Sequence, residues 1–107
     1  FRDSVQPYLV SWFAYDPAEV VAVLDIPILL VYGTTDIQIP ASYGERLAAA
    51  SESAELVVID GMNHVLKMVG PDLQAQMRSY GDPSLPLASD LVTETIEFID
   101  STLRRCP

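Results

Sequence analysis

Two short, uninterrupted apolar runs constrain this chain more than anything else in it. Ile26-Pro27-Ile28-Leu29-Leu30-Val31-Tyr32 is followed at once by Gly33, and Leu56-Val57-Val58-Ile59 is followed by Asp60-Gly61. A half-buried strand alternates apolar and polar residues, because successive side chains point to opposite faces. A run with no polar member needs cover on both faces, and that is the signature of strands inside a parallel sheet flanked by helices. Each run ends in a turn signal, so each is expected to stop there.

The segments around these runs read as helices. Residues 1–15 carry Val5, Tyr8, Leu9, Trp12 and Phe13 at near-helical spacing, with Pro7 early enough to fit a first turn. Asp16-Pro17-Ala18-Glu19 is a good helix start, with Asp16 as cap, Pro17 at the first helical position and Glu19 three residues after the cap. This helix is expected to reach about residue 24. Ser42 and Glu45 suggest a capping box for a helix near 42–50. Residues 70–86, with Gly70, Pro71, Gly81, Pro83 and Pro86, read as loop with a helical turn near 72–79. A last helix over 89–103 would turn Leu91, Val92, Thr95, Ile96, Ile99 and Leu103 to one side. Strands alternating with helices predict an α/β architecture, with two parallel strands and flanking helices in one unit over 1–107.

Composition narrows the function classes. Half of the 107 residues are hydrophobic and the mean hydropathy is +0.24. That is too apolar for a disordered chain. It is also much apolar sequence for a chain whose small size limits what it can bury, so a larger unit or an oligomer is expected. No apolar run approaches the roughly 18 residues of a membrane span. The net charge of −9, from 15 acidic and 6 basic residues, repels phosphate backbones and argues against nucleic acid and anionic membrane as partners. The single cysteine, Cys106, has no intrachain disulfide partner and no companions for a metal cluster, and it leaves the compartment open between cytoplasm and export.

Chemistry is expected where the apolar runs end. In parallel α/β sheets, reactive groups collect at the carboxyl ends of strands, where loops present side chains around a shared crevice. Asp36 follows the first run and His64, the only histidine in the chain, follows the second. If the strands are neighbours, both loops leave the same sheet edge, and the pair forms half of a nucleophilic triad. The carboxylate fixes the imidazole tautomer and stabilises the imidazolium that forms when the ring takes the nucleophile's proton. The bland alternatives are a turn or capping role for Asp36 and a satisfied or solvated loop position for His64. Bland readings are preferred for Trp12, Phe13 and Tyr15 (packing rather than an acyl pocket), for Asn63 (a turn) and for Lys67 (a solvated side chain).

The run from Pro27 to Pro40, Pro-Ile-Leu-Leu-Val-Tyr-Gly-Thr-Thr-Asp-Ile-Gln-Ile-Pro, resembles the acid-bearing strand and turn of α/β-hydrolases of the serine aminopeptidase and lysophospholipase-like kind. The run from Leu56 to His64, Leu-Val-Val-Ile-Asp-Gly-Met-Asn-His, is similar to their last strand and histidine loop. The order, acid before histidine with one helix and one strand between, also matches. Tyr80-Gly81-Asp82-Pro83 resembles a loop that follows the histidine, with no chemistry assigned. The resemblance covers about residues 16–103. It implies a serine hydrolase acting on an ester, thioester or amide, with Asp36 and His64 catalytic and no metal or cofactor. One departure is large: the family's Gly-x-Ser-x-Gly nucleophile elbow does not occur here. The resemblance therefore implies that these residues are the C-terminal segment of a single hydrolase domain, inactive alone, with the nucleophile and oxyanion loop upstream. Left unpaired, such a segment is expected to form a homodimer. Two other readings compete. One is a noncatalytic α/β interaction module, which side chains of Asp36 and His64 pointing apart would favour. The other, a nucleotide-binding half-domain, is weakened because neither run leads into a Gly-rich phosphate loop.

Overall fold

The structure, a computed structural model, describes residues 2–105; Cys106 lies outside them. A single 3-10 turn, Asp3–Val5, leads into α1, Gln6–Trp12. There follow α2 (Pro17–Ala22), β1 (Ile28–Gly33), α3 (Ala41–Ala48), β2 (Ala54–Ile59), α4 (Leu73–Ser79) and α5 (Ser89–Arg105). The protein is α/β, with two parallel strands in one sheet. The register pairs Ile28 with Ala54 and Gly33 with Ile59, so the two strands end side by side.

Helices lie on both faces of the sheet, as the apolar runs Ile28–Tyr32 and Leu56–Ile59 lead one to expect; Glu55 near the start of β2 is exposed. Paired residues of parallel strands point the same way, and Val31, Val57 and Ile59 pack with Met62, Ala88 and Leu91 of α5. The opposite face belongs to α3, which comes so close at Gly44 that a Cβ there would sit 2.5 Å from the Tyr32 ring and 2.8 Å from the Leu56 side chain. Asp16 caps α2 by accepting from the Ala18 N–H at 2.9 Å, and its other oxygen takes the Arg46 guanidinium, tying α2 to α3.

Two local expectations are corrected and one is extended. The Ser42–Glu45 capping box does not form. Pro40 stands at the N-cap in extended conformation with no side-chain cap, and Ser42 lies inside the helix. The helical turn expected near 72–79 is there as α4, two turns long, with Asp72 capping it by accepting from the Ala75 N–H at 2.8 Å. The apolar side of α5 is also misaligned with the sheet. Leu91, Thr95 and Phe98 are partly covered, whereas Val92, Ile96, Ile99 and Leu103 form an outward stripe, with Ile96 55% and Ile99 49% exposed. A two-stranded sheet is narrower than the apolar side of the helix.

The same shortage of cover recurs elsewhere. Among the described residues the buried apolar side chains are Ile59, Met62 and Ala88. The aromatics near the N-terminus are expected to pack, but Trp12, Phe13 and Tyr15 are exposed, and among the described residues α1 touches no helix or strand except the 3-10 turn before it. Tyr8 and Trp12 pack against each other, edge to face at 5.1 Å. The radius of gyration is 16.3 Å, against about 13 Å for a compact domain of this length. No helix of the described residues is long and apolar enough to cross a membrane.

Two measurements test this architecture. Gly33→Ala should destabilise the fold by about 3 kcal/mol in urea titration, since overpacking against backbone has no cheap relief; an unchanged midpoint would show that the strand ends can part. The isolated chain should sediment at micromolar concentration as an associated species, most simply a twofold dimer, because large apolar patches and unpaired strand edges recruit a second chain. A monomer that unfolds cooperatively would show that the exposed stripe needs no cover.

Candidate active site

The site is built by bringing two strand exits into contact. A Cβ on Gly33 would stand 1.9 Å from the Met62 carbonyl oxygen, so only glycine lets the two exits approach this closely. Beyond it, the Thr34 N–H donates to Ile59 O at 3.1 Å and the Thr35 N–H to Met62 O at 3.2 Å. The Thr34 hydroxyl donates to Asp60 at 2.7 Å and accepts from the Gly61 N–H at 2.8 Å. Gly61 itself turns through φ +78°, the left-handed region that glycine enters without strain. These bonds place the Asp36 loop beside the His64 loop.

His64 sits in a tight loop, residues 63–67, closed by an antiparallel bridge between Met62 and Met68. The loop is held from inside by the Asn63 side chain, 1% exposed. Its oxygen accepts from the N–H groups of Val65 (3.2 Å) and Lys67 (3.0 Å), and its NH2 donates to Gln76 (3.2 Å) and Ser79 (2.8 Å). Gln76 and Ser79 are themselves fully buried and further bonded, Gln76 to the carbonyls of Val69 and Gly70 and Ser79 to that of Gln76. A buried polar group without partners costs about 1–3 kcal/mol, so a network satisfied at every member specifies a single loop conformation. Leu66 bears the strain of the turn at φ +63°, and its carbonyl is anchored by the Ala88 N–H at 2.8 Å. Asn63 is thus a turn residue, as expected, that also joins the histidine loop to α4. Lys67 is not a solvated side chain: its Nζ donates to the carbonyls of Ser79 and Asp82 at the end of α4, where a cation suits the helix dipole. Gln76 and Ser79 carried no signal in the sequence, because a polar residue's burial depends on the partner that meets it.

Asp36 and His64 come together. The His64 Nδ1 lies 2.9 Å from Asp36 Oδ2, with the carboxyl side chain only 10% exposed and the imidazole 33%. A carboxylate only accepts, so Nδ1 carries the proton, and in the neutral ring Nε2 is left as the acceptor. The other carboxylate oxygen, Oδ1, accepts from the backbone N–H of Gln38 at 2.7 Å and of Ile39 at 2.9 Å. The turn role and the histidine contact therefore coexist on different oxygens of one carboxyl group. Burial works to raise the Asp36 pKa, but the N–H groups of Ile39 and Gln38 and the His64 ring outweigh it and hold the carboxyl below its ordinary range. Both residues line a cleft of about 350 Å³ along β1 with Leu30, Tyr32, Ile39 and Leu66. No cluster of metal-ligating side chains occurs among the described residues.

No known family matches the chain, and comparison with curated proteins finds no relative. Its functional reading therefore rests on this geometry and on the sequence motifs.

The depressed Asp36 pKa has a thermodynamic consequence with a definite sign. A carboxyl whose folded pKa lies below its unfolded value, about 4, contributes stability that is complete above that pH and is lost as pH falls through the folded pKa. The stability difference between the natural protein and Asp36→Asn should accordingly shrink below about pH 4. A difference that stays constant under urea titration from neutral to strongly acidic solution would show that the carboxylate is not held in its charged form.

Proposed function

We propose that Asp36 and His64 are the acid and the general base of a serine hydrolase of the α/β-hydrolase type, cleaving an ester, thioester or amide, with the nucleophile supplied from outside this chain. The observation that carries the reading is the 2.9 Å contact between Asp36 Oδ2 and His64 Nδ1 at the ends of adjacent parallel strands. An interaction module has no need for the two side chains to meet, and side chains pointing apart would have favoured it.

The chemistry follows from which nitrogen is occupied. With Nδ1–H given to Asp36, the Nε2 lone pair accepts the proton of a nucleophilic hydroxyl as that oxygen attacks the acyl carbon. The carboxylate then stabilises the imidazolium, and Nε2 returns the proton to the leaving group. The acid's low pKa suits this role, since it must stay ionised while the ring is charged. The apolar side chains of Leu30, Ile39 and Leu66 line the same cleft as the pair. The shortage of internal packing agrees with a second polypeptide segment completing the domain. A substrate class finer than an acyl compound is not encoded by two residues that serve only proton transfer.

The 107-residue chain alone should show no turnover of a short p-nitrophenyl ester above its own His64→Ala control, because it has no Gly-x-Ser-x-Gly elbow and, among the described residues, no hydroxyl is hydrogen-bonded to Nε2. In a full-length protein that includes a nucleophile elbow, His64→Ala and Asp36→Asn should each lower kcat by about ten-thousand-fold or more. Full activity in either variant would overturn the assignment.

A further inference from the structure

Resting on that reading of the pair, we propose that Tyr80 is a positioning residue for His64, locking the imidazole through a closed ring of contacts that also runs through the acid's own loop.

One hydrogen bond fixes one atom of an imidazole. The ring can still rock about the Nδ1···Oδ2 line, and rocking swings Nε2, the nitrogen that would meet a nucleophile. A planar group against one face restricts that motion. Tyr80 supplies it: the two rings lie 14° from parallel with centroids 6.5 Å apart, within the offset stacking range of aromatic pairs. The tyrosine is itself held at its far end, where the Gln38 side-chain amide donates to its hydroxyl at 2.6 Å. Gln38 is also the residue whose backbone N–H donates to Asp36 Oδ1 at 2.7 Å. The circuit Asp36, Gln38, Tyr80, His64 and back to Asp36 is therefore complete. A shift of the acid loop moves the clamp with it, so acid and clamp stay in register.

The backbone of Tyr80 is moored to the same histidine loop. It follows directly on Ser79, whose hydroxyl accepts from Asn63 and whose carbonyl accepts from Lys67. Asn63 immediately precedes His64. Tyr80 is thus fixed at its main chain by the histidine loop and at its hydroxyl by the acid loop. Tyr80 is 37% exposed, and its ring and hydroxyl contacts run to the histidine and to the acid loop.

His64 is the only histidine in the chain, so its Nδ1–H proton gives one assignable NMR resonance. Donation to a carboxylate moves that resonance downfield and slows its exchange with water. Tyr80→Leu should speed the exchange about tenfold, the factor equivalent to losing one aromatic contact. Tyr80→Phe and Gln38→Ala keep the ring but cut the tie, and each should speed exchange severalfold, with the amide spectrum reporting that the fold is intact. Folded Tyr80→Leu protein with exchange at the natural rate would overturn the role of Tyr80 while leaving the pair standing. Should Tyr80→Leu fail to fold, natural exchange in both Tyr80→Phe and Gln38→Ala would overturn it equally. Absence of the downfield resonance from the unaltered chain would instead overturn the Asp36–His64 pairing, and with it the proposed function.

Discussion

A missing side chain governs this structure. Gly33 ends β1 directly against the Met62 carbonyl, and no other residue leaves room for that approach. The contact lets the backbone hydrogen bonding of the parallel pair continue past the strand ends, through Thr34 to Ile59 and Thr35 to Met62. Two loops 28 residues apart in sequence are thereby held at one sheet edge. Parallel strands alone would put the loops on the same side of the molecule. Hydrogen-bonding distance between an acid and an imidazole needs this closer junction.

The second constraint is the buried amide of Asn63. A five-residue loop with a non-glycine residue at φ +63° is not a conformation that the chain adopts without help. Asn63 compensates by satisfying two loop N–H groups while donating to Gln76 and Ser79. The small α4 helix owes its position to these bonds more than to apolar packing, for its buried members are polar. Stability in this region resides in hydrogen bonds shielded from water, and the hydrophobic contribution is concentrated in the sheet and α5.

The apolar surface is distributed unlike that of a self-sufficient domain. The outward stripe on α5 and the aromatics of α1 would cost little in a larger unit that covers them, and they are a liability in a chain alone. The negative charge of −9 keeps such surfaces apart by repulsion, though at physiological salt that repulsion is screened over about 8 Å.

Much of the fold was legible in the sequence because local rules decided it. Continuous apolar runs marked both strands, Asp16-Pro17 marked the start of α2, and polar residues just past the strand ends drew attention to Asp36 and His64. The capping box misled because Ser42 and Glu45 have the right spacing at the wrong position; Pro40, two residues earlier, takes the N-cap instead. The helical period of α5 was plain, but which of its two apolar stripes meets the sheet depends on the width of the sheet. Asn63, Gln76, Ser79 and Lys67 looked like ordinary polar residues, and Tyr80 like part of a turn. Each has at least one partner between 12 and 42 residues away, which no local pattern reveals. Spacing and residue type thus determined the elements and the two residues of the candidate pair. Only the tertiary structure decided that they touch, because a hydrogen bond forms at about 3 Å and sequence periodicity does not reach that scale across separate loops.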